Sequence, residues 1–200
     1  VSSTVEPEYY DVAMTEEGAP SMLPLEESPW LPLYEEAAGW IPYNHAVVDL
    51  GTGTGRFPHM LRCRERYGHI TGIDFSPSAI SQARFYLRTN NVEAVDLEVC
   101  DLRVWLPAAD RDGATTYVCL EVLEHLFNDI DLVRRIPPGH QFVFSVPNYE
   151  SESHARVFRN AGDVWARYAD LLTFRRWSLV KVDDRKSIHV VDAVRRTDSW

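Results

Sequence analysis

Residues 46–55 read AVVDLGTGTG, five residues of strand character running directly into glycines at alternate positions 51, 53 and 55. Glycine lets a backbone turn sharply and approach another group closely, and residues of helical spacing, Phe57–Tyr67, follow at once. A strand that bends through glycine into a helix opens a βαβ unit, and repeated units commit a chain to a parallel sheet covered by helices on both faces. The pattern continues. His69–Asp74 reads as a second strand, and Ser76 then caps a helix that Pro77 opens and that runs to about Asn90. Ala79, Ile80, Ala83 and Leu87 fall on one face of that helix, the face expected to be buried. Further strands are expected at Val95–Val99, Thr116–Leu120 and Gln141–Val146, with a helix over Asn128–Ile136 stopped by Pro137-Pro138-Gly139. Gly162–Leu172 reads as helical. Phe174–Val182 and Lys186–Val194, joined by a polar turn at Asp183-Asp184, read as an antiparallel hairpin. The expected fold is therefore α/β: a three-layer sandwich on a mostly parallel seven-stranded sheet, with a C-terminal antiparallel hairpin.

Two hundred residues suit one domain with a substantial core. Residues 1–42 have a different texture, rich in Glu and Pro, with Tyr9, Tyr10, Trp30, Tyr34 and Trp40 interspersed. Prolines at 20, 24, 29 and 32 forbid one long helix there, leaving Glu35–Trp40 for a short one. Aromatic side chains need apolar cover, so this arm is expected to pack on a main domain of residues 43–200 as a lid. Trp30 and Trp40 are read as core filler. The net charge of −10 argues against a DNA-binding surface, and Arg62, Arg64 and Arg66 read as the wet side of a helix. No apolar run is long enough to span a membrane, and no secretory leader is visible. Cys63, Cys100 and Cys119 form no CxxC pair and are read as buried reduced thiols, so a cytoplasmic location without a metal is expected.

Ligands of such sheets bind at the carboxyl ends of the strands, near the point where strand order reverses. The first strand there ends in the glycines. The second ends at Asp74, nineteen residues beyond Gly55, where a carboxylate can accept both hydroxyls of a ribose. The third ends at Asp101, suited to accept from an adenine amino group. Asp49 lies inside an apolar run, a costly place for an unpaired charge.

From about Val47 to Asn148 the chain resembles the class I S-adenosylmethionine-dependent methyltransferases, whose sheet is Rossmann-like. The resemblance rests on VVDLGTGTGRF, GIDFSPSAISQAR, the VCDL around Asp101, LEVLEHL at 120–126 and FVFSVPN at 142–148. The last two are similar to the branch containing ubiquinone-pathway and related small-molecule enzymes. The resemblance implies S-adenosylmethionine as cofactor and S-adenosylhomocysteine as product. It implies that Gly51, Gly53 and Gly55 wrap the methionine portion, Asp49 supports that loop and the cofactor's amino group, and Asp74 with neighbouring Phe75 takes the ribose. Asp101 and the Leu102 backbone would hold the adenine, with Glu121 beside the methionine moiety.

A nicotinamide dehydrogenase would need glycine where Arg56 stands. Val146-Pro147-Asn148-Tyr149 is similar to the NPPY-type motif of nucleobase amino-methylating enzymes, but it follows the fifth expected strand rather than the fourth, so that reading is rejected. If a hydroxyl is methylated, a base must take its proton. His125, just past the fourth strand, and His154, after the fifth, are the candidates, each with a structural hydrogen bond or surface position as the alternative. The expected activity is methylation of a small-molecule acceptor, oxygen preferred, by a monomer or homodimer. A protein or RNA methyltransferase and a non-catalytic cofactor-binding protein are the alternatives.

Overall fold

The computed structural model describes residues 19–108 and 114–197. Tyr9 and Tyr10 of the arm lie outside the described residues. The chain forms β1 (Ala46–Leu50), β2 (Ile70–Asp74), β3 (Val95–Val99), β4 (Thr115–Cys119), β5 (Gln141–Pro147), β6 (Leu172–Lys181) and β7 (Ser187–Arg195). They join in one sheet of order β3-β2-β1-β4-β5-β7-β6. β1 through β5 are parallel, while β7 runs antiparallel to both β5 and β6. The expected fold class is therefore the observed one. The chain winds outward from β1 to β3, then returns to lay β4 on the other side of β1. The carboxyl ends of β1 and β4 flank this switch point, where an α/β sheet opens a crevice.

Successive strand residues point to opposite faces, and the core divides accordingly. Tyr117, Cys119, Phe142, Phe144, Val191 and Ala193 join one cluster. Val118, Val143, Ile188 and Val190 join the other. All seven residues of β5 are buried, as a strand covered on both faces requires.

The helices are α1 (Leu31–Trp40), α2 (Arg56–Cys63), α3 (Pro77–Thr89), α4 (Asp129–Arg135) and α5 (Ala161–Tyr168). In α3 the Ser76 hydroxyl accepts from the Ala79 N–H at 3.0 Å, and Ala79, Ile80, Ala83 and Leu87 are the buried residues. α1 packs on β5, β6 and β7, burying Leu33, Ala37 and Ala38 in the second cluster with the following Ile41. Residues 31–41 thus form part of the helical layer itself.

The structure corrects several local readings. α2 stops at Cys63, and Glu65 takes a left-handed turn at φ 49°. Leu172, expected at the end of a helix, instead starts β6, because it pairs with Arg195 of β7. Arg62, Arg64 and Arg66 are half-buried rather than wet. Arg62 donates to the Gly68 and Ala94 carbonyls, and Arg66 to that of Ile41. Cys119 is buried, but Cys100 is only half-buried and Cys63 is exposed.

Candidate active site

The loop after β1 is held from below by β2. The Gly51 and Thr52 amides donate to the Ile73 carbonyl at 2.8 and 2.9 Å, and the Gly53 amide donates to Asp74 Oδ2 at 2.9 Å. Gly51 has φ 85°, and a Cβ placed there would lie 2.3 Å from Val122 Cγ2, so no other residue lets this loop meet the loop after β4. Gly55, at φ 83°, caps α2, and a Cβ there would stand 3.0 Å from that of Ala83 in α3. Its bareness serves helix packing.

Asp74 is buried at the end of β2, where its Oδ1 also accepts from the Ser76 amide at 3.0 Å. Asp101, after β3, accepts from the Arg103 amide and guanidinium, and the guanidinium holds its carboxyl below the ordinary range. Glu121 follows β4 in the left-handed region, at φ 56°, a strained conformation for a residue with a side chain. Ser145 of β5 fixes it twice: its Oγ accepts from the Glu121 amide at 2.9 Å and donates to Oε1 at 2.8 Å. Burial pushes the Glu121 carboxyl up to about 7.

These groups open onto one cavity of about 600 Å³, within the range of small-molecule and cofactor sites. Gly51, Gly53, Asp74, Phe75, Asp101, Leu102 and Glu121 line it, and so do His125 and His154. Asp49 and Gly55 are not on its wall. Asp49 is 3% exposed beneath the loop, its Oδ2 lacks a hydrogen-bond partner, and burial raises its carboxyl to about 7.

His125 stands on a 3₁₀ turn, Leu123–His125, and its Nδ1 meets the Ser153 carbonyl at 3.0 Å. Burial pushes its imidazole down to about 4, so the ring is neutral near pH 7. His154 meets the Tyr149 carbonyl through Nδ1 at 3.1 Å, and burial lowers its pKa as well. The two rings meet edge to face, 4.9 Å between centroids.

The sequence predicts the arm as a lid but does not show which of its residues reach the cavity. Pro20, Ser21, Ser28, Trp30 and Tyr34 line it too, so Trp30 is more than core filler. Arg56 holds this segment in place. Its guanidinium donates to the Leu23 carbonyl at 3.0 Å and the Thr54 carbonyl at 2.9 Å, and stacks 3.8 Å from the centre of the Tyr86 ring. The Thr54 hydroxyl donates to the Ser21 carbonyl at 2.6 Å. The sequence signal for this anchor was an arginine at a position where helix packing disfavours bulk. Glu124 was missed as well. It is 1% exposed, lines the cavity, and has no hydrogen-bond partner on either carboxylate oxygen.

A doubly wound sheet with an antiparallel closing hairpin, a glycine-walled cavity at the switch point and acids at successive strand ends defines the class I S-adenosylmethionine-dependent methyltransferases. The chain belongs to this family: residues 43–158 match the methyltransferase domain. It is 28% identical over 157 residues to trans-aconitate 2-methyltransferase of Mycobacterium sp. (strain KMS), covering 77% of this chain and 59% of that enzyme. It is 27% identical over 113 residues to ubiquinone biosynthesis O-methyltransferase of Stutzerimonas stutzeri (strain A1501), covering 54% of this chain and 47% of that one. The chain thus spans about half the length of these curated relatives. Among solved structures, N-methyltransferase NodS from Bradyrhizobium japonicum WM9, in complex with S-adenosyl-l-homocysteine, superposes with a TM-score of 0.69. The alignment covers 95% of this chain and 98% of that one at 17% identity, a likeness of fold. Among the described residues no helix is long and apolar enough to cross a membrane.

Proposed function

We propose that the chain binds S-adenosylmethionine along the rim of β1, β2 and β3 and methylates an oxygen of a small-molecule acceptor seated beside β4 and β5. The observation that carries this reading is the continuity of one cavity from Asp101 through Asp74 and Gly53 to Glu121, His125 and His154. Asp74 would take the ribose hydroxyls, Asp101 and Leu102 the adenine, and Gly51 and Gly53 the methionine portion. Phe75 would contribute apolar wall. Asp49 and Gly55 would act from beneath, shaping the loop. The fit is electrostatic as well: a sulfonium and an ammonium enter a wall bearing the Asp74 and Asp101 carboxylates.

When bound, the cofactor supplies a methyl whose carbon–sulfur bond breaks, its electron pair passing to sulfur, as the acceptor oxygen bonds to carbon. The chain must align that oxygen and exclude water, to which the arm would contribute through Pro20, Ser21, Ser28, Trp30 and Tyr34 on the cavity wall. It must also deal with the hydroxyl's proton, and His125 and His154 are the imidazoles at that end. The O-methyltransferase named among the relatives favours oxygen as the acceptor atom.

Calorimetric titration with S-adenosylhomocysteine and NADH, side by side, tests the cofactor. One equivalent of the former and none of the latter is expected, and the reverse would overturn the reading. With an accepted substrate in hand, His125→Gln and His154→Gln should each lower the rate. An unchanged rate in both would remove these imidazoles from the chemistry.

A further inference from the structure

The acceptor end of the cavity brings together three side chains of metal-ligand type from two separate segments. Glu124 and His125 share the 3₁₀ turn after β4, while His154 comes from the segment following β5. The segments are tied to each other, because the Ala155 amide donates to the Glu124 carbonyl at 2.7 Å. Nε2 of His125 lies 3.7 Å from Oε1 of Glu124. One ligand-type atom from each of the three residues lies within 4.8 Å of the others.

Two features set this cluster apart from a chance grouping. A carboxylate buried without a partner is expensive, yet Glu124 is 1% exposed with neither oxygen hydrogen-bonded. Burial and repulsion from Glu121 raise its carboxyl well above the ordinary value, against a weaker attraction from the Arg156 guanidinium. Both histidines are also oriented in the manner of metal ligands. Each gives its Nδ1–H to a backbone carbonyl, Ser153 for His125 and Tyr149 for His154, which leaves the neutral ring's lone pair on Nε2. Outer contacts of this kind fix the tautomer and aim of ligating imidazoles.

We propose that Glu124, His125 and His154 bind a divalent transition-metal cation. Two imidazoles and one carboxylate suit zinc, iron or cobalt better than magnesium or calcium, which favour all-oxygen shells. Three protein ligands leave positions open toward the cavity. The use of such a cation rests on the methyl-transfer reading: a hydroxyl bound there loses its proton more readily, as metal-bound water does. The histidines would then act on the acceptor through the metal. Binding itself stands independently of that use.

The test is titration of the tag-free, chelator-stripped full chain with Co²⁺, followed by its visible absorption, with Zn²⁺ as competitor. One Co²⁺ per chain, displaced by Zn²⁺, is expected. Glu124→Gln and His154→Gln should each weaken Co²⁺ binding at least tenfold. Circular dichroism melts check that the variants fold, and if Glu124→Gln does not, the half-buried His154 carries the comparison. Absence of stoichiometric binding, or equal affinity in folded His154→Gln, would overturn the site. S-adenosylhomocysteine bound without Co²⁺ sinks the metal site and spares the methyltransferase reading. Co²⁺ bound without S-adenosylhomocysteine does the opposite.

Discussion

Asp49 sits in the middle of the sheet, between Gly72 of β2 and Val118 of β4 in register, with a carboxylate oxygen that nothing bonds. Burial, the largest cause, lifts its carboxyl from 3.8 to about 7. The folded state therefore holds this proton more tightly than the unfolded chain. Its ionisation costs stability in full above pH 7, and the cost fades as pH falls through the interval toward 3.8. The ceiling on that cost is roughly 4 kcal/mol, at 1.36 kcal/mol per pKa unit. Asp49→Asn should thus be more stable than the parent at pH 8, and the advantage should shrink toward pH 4. Urea melts at both pH values check this; a gain independent of pH would show that the charge is not its source. The sequence flagged Asp49 correctly as a charge in a costly place, but its position beneath the glycine loop, off the cavity wall, depends on which face of β1 meets the crevice. Gly55 is similar: its glycine is visible in the sequence, its contact with Ala83 is not.

At the level of elements, the arm and α2 are joined through Arg56. Arg56→Ala removes hydrogen bonds to the Leu23 and Thr54 carbonyls and the stacking on Tyr86. A loss of about 1–3 kcal/mol in stability is expected from contacts of these kinds. Affinity for S-adenosylhomocysteine should fall with it, because the segment that Arg56 anchors lines the cavity. Deleting residues 1–30 should weaken that affinity further, by calorimetry; unchanged affinity would refute a lid role. The strands and the N-cap of α3 were legible because short apolar runs and the Ser76-Pro77 cap are local signals. The C-terminal limit of α5 was not: Tyr168 ends the helix and Leu172 enters β6 through pairing with β7, a partner more than twenty residues away.

For the whole molecule, among the described residues the sheet places Asp74, Asp101 and Glu121 on one rim, so a ligand bound there would touch loops from β1, β2, β3 and β4 at once. A ligand that binds only the folded state stabilises it by RT ln(1 + [L]/Kd), about 2.7 kcal/mol at a hundredfold excess over Kd. S-adenosylhomocysteine at that excess should raise the melting temperature by roughly 5–10 °C for a domain of this size, and NADH should leave it unchanged. A melting point insensitive to S-adenosylhomocysteine would count against the rim as a cofactor site.

The sequence by itself determined the strands, their mostly parallel arrangement and the row of glycines and carboxylates that follow them, because apolar runs, helix caps and turn glycines act over a few neighbouring residues; the strand order came from the structure. Only the tertiary structure decided that Arg56 ties down the arm, that Trp30 and Tyr34 close the cavity, and that Glu124 and His125 meet His154. Those contacts join residues roughly thirty positions apart or more, and no spacing rule encodes them: they exist because the parallel sheet carries the ends of β4 and β5 to the same edge.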